Sequence, residues 1–313
     1  MNKTHSYRGR FSQVPIYLGK CFRTFIYMDD WKVIPMAAVI GGLVALVAAQ
    51  NLFDTMEGTT TGGFAVVCVC LWNGFFNSIQ VICRERAIVK REHRSGMHIT
   101  SYILAHMIYQ AFICLLQAAV IISISVPAGV PFPEGGLVSQ SFFIDFGITL
   151  FLITYAADML ALMISAAASD PTAAMTVMPF VLIFQLLFSG VMFPLSGKAA
   201  VIPKITISSW GMECIASLGK YNSLKMVALW NQLFHYRDFD FEGLQPVKEL
   251  TDYIMDNDLV DEFCQGAAVY NQKETFVSTA SHITQCWGVL ILFSLIFAAI
   301  AVIILKNIDK DQR

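Results

Sequence analysis

Charged residues are scarce in this sequence of 313 residues. Asp, Glu, Lys and Arg make up 14% of it, whereas hydrophobic residues make up 56% and the mean hydropathy is +0.59. Soluble domains carry about 25% charged residues. The composition therefore excludes an ordinary soluble domain, and we expect a protein that crosses a membrane several times. A broad basic face is also missing, so nucleic acid is not an expected partner.

Metal-binding and nucleotide-binding motifs are missing as well. The eight cysteines show no zinc-type spacing, and His93 and His98 have no acid or thiol set around them, so no metal is expected. The stretch 196–199 resembles a Walker A motif, but Met192 stands where the motif needs glycine and Ala199 where it needs a hydroxyl. We therefore expect no catalytic residue, no nucleotide site and no cofactor on this chain.

Long apolar runs predict an all-α membrane protein with six transmembrane helices. Each run is close to the ~20 residues that a helix needs to cross a bilayer. The predicted spans are 33–51, 63–83, 99–126, 142–168, 172–193 and 283–305.

The distribution of positive charge predicts the topology. Residues 84–98 contain five Lys or Arg side chains, whereas the linkers 52–62 and 127–141 contain none. Because cytoplasmic loops carry the excess of Lys and Arg, 84–98 is expected inside and both linkers outside. The N- and C-termini are then both cytoplasmic, with Lys306, Lys310 and Arg313 inside, in a plasma membrane or bacterial inner membrane.

The N-terminal segment 1–32 is basic and aromatic, and its apolar residues recur at helical spacing. This pattern predicts an amphipathic helix in the cytoplasmic interface, with its apolar stripe against membrane lipid. The alternative is a helix that packs on a protein partner. The apolar stripe consists of Phe11, Val14, Leu18, Phe22 and Phe25.

The segment 194–282 is predicted to be a re-entrant and outer subdomain that precedes the last span and the inner tail, 283–313. Its first half is moderately apolar and interrupted by Pro203 and Gly211, which predicts a helix that dips into the membrane without crossing it. Its second half, from Asp238 to Glu262, is acidic and predicts a solvated surface. Cys214 and Cys264 share this outer side, where a disulfide can persist; Cys286 is a competing partner for either.

Together these features resemble a known family. The features form a single domain that extends over nearly the whole of 1–313. Their order is an interfacial helix, two spans, a charged inner helix, three spans, a re-entrant region and a last span. The motifs are Arg84-Glu85-Arg86, Arg91-Glu92 and Ser95-Gly96-Met97 in the charged helix and Phe188-Ser189-Gly190 late in span five. The chain is similar to the membrane domain of type-2 ABC exporters, in particular to the G subfamily of pigment-precursor and pleiotropic-drug-resistance transporters.

The resemblance implies a permease that pairs with a second permease protomer, identical or not, and with a separate ABC ATPase subunit that binds ATP and Mg²⁺. It implies that 84–98 is the coupling helix pressed against that ATPase, with Glu92 solvent-exposed in the isolated subunit. An ordinary positive-inside loop is the alternative. The residues of the expected contact are Arg84, Glu85, Arg86, Ile88, Val89, Lys90, Arg91, Glu92, Arg94 and Gly96.

Polar residues in the spans are candidates for the substrate path. Asn73, Asn77 and Gln80 fall on one face of the span-two helix, and the resemblance places that face and span five on the path. Hydrogen bonding between helices explains the same amides equally well. The expected span-five residues are Phe184, Gln185 and Phe188, and the resemblance implies an outer constriction at Val191 and Met192.

Asp158 is the acid deepest within a span, and we expect an intramembrane polar hub there that includes His106. An ionisable group in a bilayer marks a functional site by default. Pairing with His106, proton relay and a purely structural hub are the alternatives. A proton-coupled secondary transporter that uses Asp158 and His106 is therefore the first rival function, and a non-transporting membrane scaffold is the second.

Overall fold

The computed structural model describes residues 9–27, 30–48, 51–193, 195, 197–237 and 245–307. Within these ranges the chain is helical and forms no named strand. Asp238, Asp240, Glu242, Lys310 and Arg313 lie outside them. The helices are α1 Arg10–Tyr27, α2 Val33–Ala48, α3 Met56–Ser78, α4 Val81–Arg94, α5 Ile99–Ser125, α6 Phe142–Ala167, α7 Pro171–Leu187, α8 Ile207–Leu218, α9 Ala228–Tyr236, α10 Gln245–Asp256, α11 Val260–Ala268 and α12 Ala280–Lys306.

Four of the described helical segments are long and apolar enough to cross a membrane. They contain α3, α5, α6 and α12, each of which coincides with a predicted span. The helices α2 and α7 are apolar but have only 16 and 17 residues. At 1.5 Å per residue each reaches about 25 Å, less than the ~30 Å of a bilayer core. The six-span count therefore remains a prediction.

Three predicted elements have different boundaries in the structure. Span two begins earlier, at Met56, because the side chain of Thr55 accepts a hydrogen bond from the Gly58 amide and caps the helix. The charged helix α4 begins at Val81 and ends at Arg94, so 95–98 is a turn. Span five ends at Leu187 rather than 193, since Gly190 takes a left-handed φ of 75°.

The helix α6 is the centre of the bundle and packs against α3, α5, α8 and α12. Its buried face is rich in small residues, including Ala156, Ala157 and Ala161, which let the neighbouring backbones approach closely. One such close approach is at Gly74 of α3. A Cβ at this position would collide with the Thr154 carbonyl oxygen and lie 2.7 Å from the Cβ of Ala157.

The predicted re-entrant region is a 3₁₀ segment, Gly197–Ile205, followed by the helix α8. The helix is buried against α3, α6 and α12, and Ile207, Met212 and Ile215 are fully inaccessible. Gly211 was expected to interrupt this helix, but it lies within α8, where an added Cβ would lie 2.9 Å from Cδ1 of Ile153. The expected disruption was therefore wrong, because the glycine serves close packing.

The helices α9, α10 and α11 form a small layer on the N-terminal end of α3. The Met56 amide donates to the Lys225 carbonyl at 3.0 Å, and the Glu57 carboxylate accepts from the Val227 and Ala228 amides at 3.2 and 2.8 Å. The charged helix α4 follows the other end of α3. Because α3 has 23 residues, these two features lie about 34 Å apart along its axis.

The predicted disulfide between Cys214 and Cys264 is not formed, and all eight cysteines are free thiols. Cys214 lies inside the bundle, where its Sγ is 3.3 Å from the Thr149 hydroxyl. Cys264 lies on α11, and its backbone carbonyl accepts a hydrogen bond from the Met226 amide. Both thiols are buried by packing within the fold, which the sequence position alone did not reveal.

The contact at Gly74 makes a first prediction. Gly74→Ala should lower the free energy of unfolding by about 1–3 kcal/mol, because the added methyl group forces α3 away from α6. The measurement is the thermal unfolding midpoint of the purified protein in detergent. Gly288→Ala on α12 is the matched control, since its Cβ would meet nothing within 4 Å. Equal midpoints for the two variants would contradict the tight α3–α6 contact.

Candidate functional site

The helices α4 and α6 cap each other's ends. Gln80, at the N-cap of α4, provides no side-chain capping bond to the first amides of the helix. Instead the Ile82 and Cys83 amides donate to the Ser165 hydroxyl of α6 at 3.0 and 3.2 Å. In return, Arg86 donates to the carbonyls of Ala166 and Ala168 at the C-terminal end of α6, at 2.9 and 3.0 Å. The amides at the start of α4 and the carbonyls at the end of α6, which have no partner within their own helix, are thereby hydrogen-bonded. These bonds fix α4 to the bundle.

The Ser-Gly-Met motif forms the turn that ends α4. The Met97 amide donates to the Glu92 carbonyl at 3.0 Å, and the Gly96 amide donates to the His93 carbonyl at 3.1 Å. Gly96 has a φ of 101°, a conformation that residues with a Cβ rarely adopt. The motif is therefore explained by the helix end that it forms, and Gly96 has a structural role.

The helix α1 lies across this turn and across α5. Gln13 Nε2 donates to the Gly96 carbonyl at 3.1 Å, and Gln13 Oε1 accepts from the His98 amide at 2.9 Å. Lys20 Nζ forms an ion pair of 2.8 Å with Glu85 of α4. The sequence analysis did not single out Gln13. Its signal was a polar side chain next to the apolar stripe of an amphipathic helix.

The apolar stripe of α1 is divided between protein and surroundings. Phe22 and Phe25 stack edge-on against Tyr109 of α5 at centroid distances of 5.5 and 6.3 Å, and Leu18 packs on the same cluster. Phe11 is 87% exposed. The stripe therefore packs partly on the bundle of the same chain and is partly exposed to the surroundings.

Glu92 was expected to be solvent-exposed, and this was wrong. One oxygen of its carboxylate is buried, and the residue is only partly accessible. The reason is α1, which covers this side of α4. Burial, and then the neighbouring Glu92 carboxylate, raise the pKa of Tyr17 on α1 to about 12. Glu92 therefore belongs to the α1–α4 contact within the chain.

The remaining expected contact residues of α4 fall into two groups. Val89 is fully buried in a cluster with Ile82 and Tyr102, so it is not available as an anchor for a partner. Ile88 is 39% exposed. Arg84, Arg91 and Arg94 are also exposed, whereas Lys90 is partly buried. Consecutive helix positions point about 100° apart, which explains why Val89 faces inward and Ile88 outward.

A cavity of about 230 Å³ lies between α1, α3, α4 and α5. One part of its wall is charged and contains Lys20, Arg84 and Glu85. Another part is apolar and includes Phe25 and Phe76. The cavity therefore offers the two kinds of surface that an amphipathic molecule requires.

The span-two amides are bonded within the chain. Asn77 and Gln117 exchange two hydrogen bonds, Nδ2 to Oε1 at 2.9 Å and Nε2 to Oδ1 at 3.0 Å. Gln80 accepts from Arg84 at 2.7 Å. Asn77 and Gln80 also contribute to the cavity wall, whereas Asn73 is buried in the bundle and is not part of it. Hydrogen bonding between helices thus accounts for Asn77. The three amides, which the sequence placed on one polar face, lie in two environments.

The predicted span-five residues lie in two environments. Gln185 is buried, and its side-chain Oε1 accepts a hydrogen bond from the Ile207 amide at 2.8 Å. Its backbone carbonyl accepts a hydrogen bond from the Ser208 hydroxyl. Gln185 therefore fixes the start of α8. Phe184 is exposed, with its ring 5.0 Å from that of Phe188. Val191 is partly buried and Met192 exposed, in the turn after α7.

Asp158 and His106 have separate partners. Asp158 Oδ2 accepts from the Cys114 thiol at 3.5 Å. His106 lies 3.7 Å from the Cys21 sulfur and packs edge-to-face against Tyr102 at the cavity wall. The pair that the sequence suggested is therefore not formed, because His106 faces α1 and Asp158 faces α5.

Comparison with known proteins gives a consistent result. A model of the family described as ABC-2 type transporter matches residues 20–217. The chain is also similar to the ABC transporter ATP-binding/permease protein Rv1747 of Mycobacterium tuberculosis, with 29% identity over 157 residues. The match covers 48% of this chain and 17% of that relative, so the chain spans less than a fifth of the relative's length.

The reciprocal capping of α4 and α6 makes a second prediction. Arg86→Met should lower the free energy of unfolding by about 1.5–3 kcal/mol, the usual value of hydrogen bonds to a charged group. Arg91→Met, at an exposed position of the same helix, should change it by no more than about 0.5 kcal/mol. The measurement is the thermal midpoint of each variant in detergent. A midpoint for Arg86→Met no lower than that for Arg91→Met would contradict the capping role.

Proposed function

Because the chain belongs to the ABC-2 type transporter family, we propose that it is the membrane subunit of an ATP-driven exporter. Two such subunits form the substrate path, and a partner ATPase supplies the energy. The helix α4 receives the movement of the ATPase. The G-subfamily assignment is part of the proposal and is supported by the order of the elements along the chain.

The geometry of α4 is the observation that carries this proposal. The helix exposes Ile88 and three arginines on one side, while Val89, Arg86 and the Ser165 caps attach the other side to α6. A docking element needs both properties. An exposed apolar residue surrounded by charges binds and orients a partner, and a rigid attachment passes the partner's movement to the spans.

The proposed topology has six spans with both termini inside. The distance of about 34 Å between α4 and the α9–α11 layer along α3 supports it, since these features then lie on opposite sides of a bilayer. The short helices α2 and α7 cross with the help of the residues that flank them. The helix α1 lies at the inner interface, with exposed Phe11 and Ile26 toward lipid.

The proposed dimer contact and path use the exposed faces of α3 and α7. Trp72 and Phe76 of α3 stack at 5.3 Å and are both exposed. Phe180, Ile183 and Phe184 of α7 are exposed as well. In a monomer these rings face lipid, and in the proposed dimer they face the other subunit or an apolar substrate.

The first rival, proton-coupled transport, has less support. It requires Asp158 and His106 to act together, and they have separate partners. Transport by the purified protein and its ATPase in vesicles distinguishes the two functions. The exporter requires ATP and tolerates an uncoupler, whereas the rival requires a proton gradient. Absence of any transported molecule would favour the scaffold.

The topology makes a third prediction. In a cysteine-depleted protein, Ser95→Cys should react with a membrane-impermeant maleimide only from the cytoplasmic side. Glu249→Cys on α10 should react only from the outside, because both positions are exposed at opposite ends of α3. Accessibility is measured in intact cells and in inverted vesicles. Labelling of both cysteines from one side would contradict the six-span topology.

The coupling role of α4 makes a fourth prediction. Ile88→Asp should reduce co-purification of the ATPase and substrate-stimulated ATP hydrolysis by at least about tenfold, because a buried contact loses its apolar anchor. The variant should retain its thermal midpoint, since Ile88 is exposed within the subunit.

Leu250→Asp is the matched control, an exposed apolar residue on α10 at the other end of the molecule. It should leave ATPase association unchanged. Glu92→Arg should lower the thermal midpoint, because it disrupts the contact with α1. Full ATP-driven transport by Ile88→Asp would refute the proposed docking surface.

A further inference from the structure

Three side chains with different metal-binding atoms come together between α8 and the start of α12. They are Glu213 of α8 and His282 and Cys286 of α12. Their ligand atoms all lie within 4.8 Å of one another. The three residues thus form a group of potential metal ligands that two separate helices contribute. The sequence shows no such motif, because Glu213 is far from the other two along the chain.

The local geometry fits a tetrahedral metal ion. His282 and Cys286 are four residues apart, so they occupy one face of α12. Cys286 Sγ and His282 Nε2 are 3.7 Å apart. A zinc ion holds sulfur at about 2.3 Å and nitrogen at about 2.0–2.1 Å, which places two tetrahedral ligands about 3.5 Å from each other. The two side chains are therefore almost in position for one ion.

The burial of the three residues fits a bound ion as well. Cys286 is buried, whereas Glu213 and His282 are partly exposed. The thiol thus lies in the interior, and the two other ligands leave a route to solvent, which a metal site requires. A simple hydrogen bond between Cys286 and His282 would explain their contact but not the third ligand.

We propose that Glu213, His282 and Cys286 form a binding site for a divalent transition metal, with zinc as the best match. Thiolate and imidazole ligands favour zinc over magnesium or calcium, which prefer oxygen ligands. Three protein ligands leave a fourth position for water. The ion joins α8 to the start of α12, on the side of the bundle that carries the α9–α11 layer. This site does not depend on the exporter function.

The test uses the full-length protein in detergent and cobalt as a spectroscopic probe for zinc. Titration with Co²⁺ should produce a thiolate-to-cobalt charge-transfer band that saturates at one ion per chain and disappears on addition of Zn²⁺. Zn²⁺ should also raise the thermal midpoint. Cys286→Ser should abolish the band. His282→Ala and Glu213→Gln should each weaken Zn²⁺ binding by more than about tenfold, because loss of a residue that only supports a metal ligand already weakens binding by about that much.

Cys264→Ser, His235→Ala and Glu249→Gln are matched controls on the neighbouring helices, and they should bind both metals as the unchanged protein does. If Cys286→Ser does not fold, His282→Ala decides, because this residue is partly exposed. The proposal is overturned if the unchanged protein gives no cobalt band, if the band survives Cys286→Ser, if His282→Ala binds Zn²⁺ as tightly as the unchanged protein, or if Cys264→Ser removes the band.

Discussion

The exchange of caps between α4 and α6 is the interaction on which the proposed mechanism depends. Ser165 satisfies two amides at the start of α4, and Arg86 satisfies two carbonyls at the end of α6. A positive charge at a helix C-terminus is also favoured by the helix dipole. Neither helix can shift along its axis without breaking the other's caps. A force applied to the exposed side of α4 is therefore transmitted to α6, the most central helix of the bundle.

Polar side chains within the spans serve mainly to hold this bundle together. The Asn77–Gln117 pair and the contact between Cys114 and Asp158 join α3, α5 and α6. In a bilayer the attraction between apolar side chains contributes little to helix association, because lipid is equally apolar. Hydrogen bonds and close backbone contacts such as that at Gly74 take its place. The polar residues that a sequence offers as a substrate path are thus partly required for assembly.

The sequence predicted the positions of the apolar helices and the charged helix because hydropathy and charge are local properties. It failed where the answer depends on a second helix. Helical periodicity shows that Ile88 and Val89 point to different sides of α4. Only the packing of α4 on the bundle decides that Val89 is the buried one. Glu92 is covered by α1, and Gly211 fits against Ile153. The separation of Asp158 from His106 likewise depends on how the spans rotate about their axes, which no local pattern encodes.

The two ends of the bundle are held together by different contacts. At the end that carries α4, the helices α1 and α4 and the Ser-Gly-Met turn form one unit through Gln13 and the ion pair of Lys20 with Glu85. Toward the other end, α8 is packed against α3, α6 and α12, so a displacement of α6 would also act on the segment that follows α7. Gln185 connects this segment to α7. A metal ion on Glu213, His282 and Cys286 would add a bond between α8 and α12, and would thereby restrict this end of the bundle without altering the end that carries α4.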